Sequence, residues 1–112
     1  MVIFMAKSNN FFKLDMLVLC VLSQHDCYGY EIVKLIYEIS DNIIQIKEGT
    51  LYPIVHQLLK LGYISSHDVV VNKKIRVYYH IEESGISYLK ESIQEFDTNL
   101  RGILSIINYR KD

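Results

Sequence analysis

Residues 49–81 read GTLYPIVHQLLKLGYISSHDVVVNKKIRVYYHI, and this stretch decides the fold. Its first part predicts a helix over residues 50–61, because apolar side chains fall on one arc of a helical wheel and the others on the opposite arc. The apolar arc holds Leu51, Ile54, Val55, Leu58, Leu59 and Leu61. The opposite arc holds Thr50, Tyr52, Pro53, His56, Gln57 and Lys60, without a carboxylate. Pro53 falls in or near the first turn, where its missing N–H does least harm, and Gly62 is a natural residue to follow the helix.

The second part of the stretch predicts a β-hairpin. Residues 64–71 end in three valines, and residues 75–81 alternate strictly between two faces. One face carries Ile75, Val77, Tyr79 and Ile81, and the other carries Arg76, Tyr78 and His80. Residues 72–74 (Asn-Lys-Lys) join the strands as a short connection with a cationic tip. We expect at least Tyr79 to lie in the core.

Two further helices are predicted upstream. Residues 10–23 are apolar nearly all round, which is typical of a buried helix, and Asn9 or Asn10 can cap it. Residues 29–40 have an apolar face at helical spacing and end at Asp41-Asn42, while residues 24–28 are interpreted as a polar turn. Three helices followed by a basic-tipped hairpin is the order of a winged helix-turn-helix.

The C-terminal residues 86–107 predict a helix of about 33 Å. Its apolar residues are spaced alternately by three and four positions, which is a heptad seam. The seam consists of Ile86, Leu89, Ile93, Phe96, Leu100, Ile103 and Ile107. A long helix with a narrow apolar stripe needs a partner, so we infer a homodimer. The expected organisation is a winged-helix domain over residues 1–84 and a dimerisation helix over residues 85–112.

Composition limits the classes of function. The 112 residues carry 12 Lys+Arg and 13 Asp+Glu, and a formal charge of −1 excludes a uniformly basic surface. Residues 42–80 nevertheless hold five basic and two acidic side chains, whereas both flanking regions are net negative. This placement is a first indication of an anionic partner. No apolar run is long enough to span a membrane and no signal segment is evident, so we expect a soluble cytoplasmic protein.

Several segments together resemble the PadR family of bacterial transcriptional regulators, over roughly residues 14–90. The matching segments are Leu17-Val18-Leu19, Tyr28-Gly29-Tyr30-Glu31-Ile32, Gly49-Thr50-Leu51-Tyr52-Pro53, residues 58–64, Val77-Tyr78-Tyr79 and Glu83-Ser84-Gly85. The single tail helix resembles the short-tailed branch of that family. The resemblance implies an α+β, mostly helical winged helix-turn-helix with a long C-terminal helix. It also implies a dimeric repressor that a small molecule releases from DNA.

The resemblance also implies that the partner is double-stranded DNA with a pseudo-palindromic operator. Base edges are read by hydrogen-bonding side chains and phosphates are neutralised by cations. Thr50, Tyr52, His56 and Gln57 suit the first task. Lys60, Lys73, Lys74 and Arg76 suit the second, with Lys34 and Lys47 as further candidates. A dimer is expected to place its two recognition helices on the order of 34 Å apart.

Two other classes of function stay open at this stage. A winged-helix module that contacts only protein is the first, because Gln57 stands where family members often carry arginine. A small-molecule carrier or enzyme is the second. No nucleophile elbow, P-loop or dinucleotide glycine motif is present, so no enzymatic activity is predicted.

The resemblance places the effector at or near the dimer core. Phe96 lies in the middle of the seam and is a candidate to stack a planar hydrophobic ligand, with Phe11, Phe12 and Leu100 as walls. Asp97 would attract a cationic ligand if it points inward. The alternative is that Phe96 is ordinary interface core, as aromatic residues at this spacing usually are.

Metal and redox sites are not predicted. The four histidines, His25, His56, His67 and His80, have no close ligand spacing, and no cofactor is expected. Cys20 falls in the most apolar helix and is expected in the core, whereas Cys27 falls in the polar turn and is expected to be exposed. A thiol sensor is a minor alternative for these two residues.

Overall fold

The computed structural model describes residues 13–112, so the predicted helix cap at Asn9 or Asn10 and the candidate residues Phe11 and Phe12 lie outside it. The described helices are α1 (Leu14–Leu22), α2 (Gly29–Ile39), α3 (Glu48–Lys60) and α4 (Glu83–Ile107), and the strands are β1 (Cys27–Tyr28), β2 (Ile64–Val71) and β3 (Lys74–Ile81). The sheet is antiparallel in the order β1-β3-β2. The predicted α+β, mostly helical winged-helix architecture is confirmed.

The core lies between α1, α2, α3 and the sheet. Val18 and Leu19 of α1 are fully buried, as expected for a helix that is apolar nearly all round. Ile32 from α2 and Leu51 from α3 pack into the same cluster. Tyr79 is buried beside them, which confirms its predicted place in the core. Helix α1 therefore lies at the centre of the core, and helix α3 packs against it.

Helix α3 begins two residues earlier than its apolar pattern predicts. Its first residue is Glu48, so Pro53 is the sixth helical residue and lies in the second turn, not in or near the first. A proline there donates no N–H to the carbonyl of Gly49, and the N–H groups of Thr50 and Leu51 both donate to the Lys47 carbonyl, at 2.9 and 3.0 Å.

The end of α3 departs from the helical wheel at one position. Leu61 was placed on the apolar arc, but it is the C-cap residue and is 51 % exposed. The chain turns away from the core at this point, because Gly62 takes a φ of +79°, a left-handed conformation that glycine adopts without steric strain.

The hairpin of β2 and β3, called the wing below, closes through a tighter turn than predicted. Val71 pairs with Lys74, so the connection is the two residues Asn72 and Lys73 and not residues 72–74. Their φ angles of 52° and 65° are those of a type I′ turn, whose twist matches that of the strands it joins. The hairpin reaches beyond the core, which leaves Ile75 and Val77 of the predicted apolar face exposed.

Strand β1 has no counterpart in the sequence prediction, which read residues 24–28 as a turn. Cys27 pairs with Tyr79 and Tyr28 pairs with Tyr78. This pairing carries Cys27 under the edge of the sheet, where it is fully buried, so its predicted exposure is wrong. Cys20, expected in the core, is partly buried and packs against the core.

The first turns of helix α4 pack closely against the rest of the chain. At Gly85 a Cβ atom would collide with the backbone carbonyl oxygen of Tyr63, so only glycine permits this close approach. Further along, the Tyr88 hydroxyl donates to an Asp15 carboxylate oxygen of α1 at 2.8 Å. The molecule is elongated and measures 67 × 29 × 24 Å.

Candidate nucleic-acid interface

Helix α3 presents to solvent the face that its sequence predicts. Leu51, Val55 and Leu58 are buried and anchor the helix against the core. All six side chains of the opposite arc are exposed, namely Thr50, Tyr52, Pro53, His56, Gln57 and Lys60. The exposed face thus offers hydroxyl, imidazole and amide groups for hydrogen bonding, and one cation.

Tyr52 is held in place by two neighbours. Its ring lies against Gly29, where a Cβ atom would come within 2.7 Å of the tyrosine oxygen. The Tyr52 hydroxyl donates to a Glu48 carboxylate oxygen at 3.4 Å, one helical turn earlier. Partial burial and the nearby Glu48 carboxylate raise the pKa of Tyr52, so the hydroxyl keeps the proton that it donates to Glu48.

The cations of the wing fall into two groups. Lys73 in the turn and Lys74 at the start of β3 are exposed at the tip. Arg76 lies closer to the base of the wing, where its guanidinium carbon is 4.3 Å from the centre of the Tyr28 ring. This cation–π contact orients the guanidinium without neutralising its charge. Tyr28 also packs edge-on against Tyr78, with ring centres 5.4 Å apart.

A cleft of about 270 Å³ connects α3 to the wing. It is lined by Tyr28, Gly29, Tyr30, Tyr52, Arg76, Val77 and Tyr79. The first residues of α2 border it, and the backbone N–H of Tyr28 before this helix donates to the Glu31 carboxylate. Tyr28 and Tyr30 were not among the predicted site residues. The signal that points to them is the Tyr-Gly-Tyr sequence, which sets two aromatic side chains on either side of the first residue of α2.

A polar network fixes the base of the wing to the turn that precedes β1. His80 Nδ1 lies 2.8 Å from Asp26 Oδ1, and His67 Nε2 lies 3.8 Å from Asp26 Oδ2. The hydrogen bond to Asp26 and the charge of its carboxylate raise the pKa of His80. Because His67 and His80 come from β2 and β3, one carboxylate holds both strands of the wing.

The residues of the predicted α4 seam fall into three groups by exposure in the single chain. Leu89 is 6 % exposed and belongs to the core of its own chain. Ile86, Ile93 and Ile107 are exposed. Phe96, Leu100 and Ile103 are partly buried. The face that stays open therefore follows the stripe of residues 86, 93, 100 and 107, which repeat every seven positions.

The predicted effector residues that the structure describes lie around the middle of α4. Phe96 packs partly against the core. Asp97 forms an ion pair with Arg101 on its own helix, one turn later, and so does not point inward as a lone carboxylate. Leu100 is partly buried beside this pair.

Outside this interface, the structure brings together a set of metal-binding side chains that the spacing of the histidines did not indicate. Ligand atoms of His25, Cys27 and Glu31 lie within 4.8 Å of one another. Burial, followed by the charges of Glu31 and Asp26, raises the pKa of the Cys27 thiol to about 12. Without a cation beside it, Cys27 is therefore protonated at neutral pH, which is the opposite of what a reactive thiol sensor requires.

Within residues 13–112, none of the helices combines the length and the apolar character that a transmembrane segment needs.

Comparison with known proteins places this fold in a family. Residues 18–91 match the transcriptional regulator PadR-like family. A transcriptional regulator from Clostridium thermocellum is 37 % identical, over 85 % of this chain and 93 % of that chain, with a TM-score of 0.79. A PadR family transcription regulator from Clostridium difficile is 26 % identical, over 85 % and 98 % of the two chains, with a TM-score of 0.74.

Bacillus subtilis PadR, solved in complex with operator DNA, shares the fold with a TM-score of 0.64 and 23 % identity. That similarity covers 70 % of this chain and 45 % of that one. The match to the family over most of the chain agrees with the resemblance carried by the Gly-Thr-Leu-Tyr-Pro segment and the tyrosine pair of β3. The chain belongs to the PadR-like family of transcriptional regulators.

Proposed function

We propose that this protein is a sequence-specific DNA-binding regulator that acts as a homodimeric repressor and is released from its operator by a small molecule. The observation that carries DNA binding is the cleft shared by the exposed face of α3 and the base of the wing, where Tyr52 and Arg76 line one surface. A helix and a hairpin arranged in this way can contact a major groove and the adjacent backbone of one duplex.

The side chains of α3 and those of the wing have different proposed roles in DNA recognition. In this proposal Thr50, His56 and Gln57 face base edges, and the Gln57 amide can pair with adenine through two hydrogen bonds. Lys60, Lys73, Lys74 and Arg76 neutralise phosphates. The Tyr30 hydroxyl donates to a phosphate beside the cleft, and Tyr52 joins Thr50, His56 and Gln57 in facing base edges. Pro53 contributes shape rather than hydrogen bonds.

The dimer is proposed to form through the open stripe of α4. Ile86, Ile93, Leu100 and Ile107 recur every seven residues, which is the spacing that keeps one helix face against a partner helix. Phe96 and Ile103 flank this stripe, whereas Leu89 serves the core of its own chain. This places the dimerisation element within residues 85–112 and leaves residues 1–84 to form the DNA-binding domain.

The effector site is proposed at the centre of the paired α4 helices. Phe96 would offer its ring to a hydrophobic or aromatic ligand beside Leu100, with Phe11 and Phe12 as further candidates from the N-terminus. A ligand that prefers one separation of the two α4 helices shifts the separation of the two recognition helices. The change in DNA affinity is limited by the difference in ligand affinity between the two arrangements.

A protein-interaction module without DNA binding is the second candidate. One side of the wing tip supports it, because Val70 and Ile75 pair across the strands and are 72 % and 68 % exposed, next to exposed Val77. Such an apolar tip suits contact with another protein. The two candidates differ in their affinity for duplex DNA.

Fluorescence anisotropy with the DNA upstream of the protein's own coding region tests the proposal. We expect the logarithm of the association constant to fall linearly with the logarithm of salt concentration. The double variant Lys73→Ala and Lys74→Ala should weaken binding to all sequences and reduce the magnitude of the salt slope by about 2. Gln57→Ala should instead reduce discrimination at one base pair, by about 1–3 kcal/mol.

The matched control is the double variant Lys90→Ala and Lys111→Ala, which removes two exposed cations from the C-terminal region. It should leave DNA affinity nearly unchanged. Equal affinity of the Lys73/Lys74 variant and the parent would show that the wing is wrongly assigned. A complete lack of duplex affinity at low salt would favour the protein-interaction module.

A further inference from the structure

Three side chains of different chemistry converge where the chain passes from α1 to α2. His25 ends an exposed turn, Cys27 lies in β1, and Glu31 lies in the first turn of α2. His25 Nδ1 is 3.3 Å from Cys27 Sγ, and a carboxylate oxygen of Glu31 completes a set of ligand atoms within 4.8 Å of one another. The set combines a sulfur, an imidazole nitrogen and a carboxylate oxygen.

We propose that His25, Cys27 and Glu31 form a binding site for Zn²⁺, with a fourth position open to water. The site lies next to the proposed DNA-binding cleft, because Cys27 and Glu31 flank the cleft residues 28–30, and it goes beyond the function proposed above. Cysteine, histidine and glutamate are the residues that bind zinc in proteins, whereas Mg²⁺ and Ca²⁺ prefer oxygen ligands alone.

The distance between sulfur and nitrogen fits a tetrahedral ion. Zinc lies about 2.3 Å from a thiolate sulfur and about 2.0–2.1 Å from an imidazole nitrogen. With 3.3 Å between Cys27 Sγ and His25 Nδ1, these bond lengths give an angle of about 100° at the metal, close to the tetrahedral value. A carboxylate oxygen of Glu31 lies within 4.8 Å of both of these atoms, so the third ligand is already close to the proposed position of the ion.

Zinc would replace the local hydrogen bonds of these three side chains, including one that the Cys27 thiol donates to the His25 carbonyl oxygen at 3.5 Å. One oxygen of Glu31 accepts a bond from the backbone N–H of Tyr28 at 3.4 Å, which is long for such a contact. His25 Nδ1 lies 3.0 Å from the Asp26 carbonyl oxygen. Metal binding requires the proton of this ring on Nε2, so that the lone pair of Nδ1 is directed to the ion.

The charge balance of the site also favours a dication. Zinc binding displaces the proton of the Cys27 thiol to solvent and forms a zinc–sulfur bond, with no change of oxidation state. The carboxylates of Glu31 and Asp26 both act electrostatically on the sulfur. Negative charges that oppose an isolated thiolate attract a divalent cation, which then stabilises the thiolate directly.

Titration of the metal-free full chain with Co²⁺ tests the proposal by spectroscopy. Cobalt bound to a thiolate gives a charge-transfer absorption in the near ultraviolet, and Zn²⁺ should remove this absorption by displacing the cobalt. We expect one Co²⁺ per chain with this absorption. Cys20→Ala should retain it and Cys27→Ser should lose it, because Cys20 and Cys27 are the two cysteines of the chain.

Cys27 is fully buried and its replacement can unfold the chain, so two further variants test the site independently. His25→Ala and Glu31→Gln should each weaken Zn²⁺ binding, measured by calorimetry, on the order of tenfold or more. His56→Ala and Glu38→Gln alter exposed residues of α3 and α2 and serve as matched controls that should leave the affinity unchanged. Absence of the thiolate absorption in folded parent protein would overturn the proposal. So would unchanged affinity in the His25 and Glu31 variants together with loss of binding in His80→Ala, which would place the ion at Asp26.

Discussion

At the scale of single residues, two glycines decide how closely the elements approach one another. Gly29 leaves room for the ring of Tyr52, and a Cβ atom there would push the ring out of the cleft that joins α3 to the wing. Gly85 accepts the backbone carbonyl of Tyr63 where a side chain would collide with it. The first contact orients a side chain proposed to meet DNA, and the second fixes the start of α4.

The Asp26–His80 pair leads to a prediction about pH. Asp26 raises the pKa of His80, so the folded state favours the protonated ring. A raised pKa in the folded state means that the contribution of this pair to stability is complete below the unfolded pKa of histidine, about 6.5. It is lost as the pH rises through the higher folded value. The attachment of the wing should therefore loosen as the pH rises past that folded value.

Replacement of Asp26 by asparagine checks this by an NMR titration of the His80 ring in metal-free buffer. The midpoint for His80 should fall toward the ordinary histidine value in Asp26→Asn, because both the hydrogen bond to a charged group and the charge itself are removed. The resonances of His56 on α3 provide an internal control, since the substitution changes nothing near that residue. The same His80 midpoint in parent and variant would contradict the role given to Asp26.

At the scale of elements, the wing is a hairpin whose turn requires positive φ angles at both of its residues and also carries a positive charge. Asn72 tolerates a positive φ because its short polar side chain bonds locally, whereas Lys73 at φ 65° is strained relative to glycine. A lysine at a position that favours glycine suggests a use for its charge. The proposed phosphate contact is such a use.

Lys73→Gly separates these two properties. Asn-Gly is a preferred pair for a type I′ turn. Relief of the left-handed conformation, about 1–2 kcal/mol, exceeds the entropic cost of glycine, about 0.5–1 kcal/mol, so we expect the free energy of unfolding to rise by on the order of 0.5–1 kcal/mol. DNA affinity should fall at the same time, because a cation is removed from the tip. Chemical denaturation and fluorescence anisotropy measure the two effects.

Lys74→Gly is the matched control. It removes the same charge from the adjacent position, but Lys74 is a strand residue paired with Val71, and glycine weakens a strand. The control should lose both stability and DNA affinity. A loss of stability in Lys73→Gly as well would contradict the type I′ assignment.

At the scale of the whole molecule, the first part of α4 packs on its own chain, and the later part is proposed to pack on a second copy. Its first turns pack on α1 through Leu89 and through the Tyr88–Asp15 hydrogen bond. Its later turns extend from the body of the molecule with apolar side chains in the open, among them Ile93, Leu104 and Ile107. A second copy of the chain that covers this stripe would also set the distance between the two recognition helices.

Leu100→Asp tests the dimer. A charge placed in the middle of the stripe should prevent the two helices from packing, because a carboxylate loses its hydration at such an interface. Light scattering should give the mass of a monomer, while circular dichroism should still show a folded chain.

The control for this variant is Thr98→Asp, which adds the same charge on the exposed side of α4 away from the stripe. It should remain dimeric. A dimer that persists in Leu100→Asp would refute the stripe as the interface.

The sequence by itself determined the helices, the hairpin and the division of α3 into a buried and an exposed face. These features follow from local periodicity, since a side chain's position on a helix or strand depends mainly on its neighbours along the chain. Only the folded structure shows that β1 forms, that Cys27 is buried and that Leu89 packs into the core of its own chain. A two-residue strand has no periodicity of its own and forms because β3, distant in sequence, supplies its hydrogen bonds. The convergence of His25, Cys27 and Glu31 arises from the same pairing together with the start of α2. Spacing along the chain therefore could not show it.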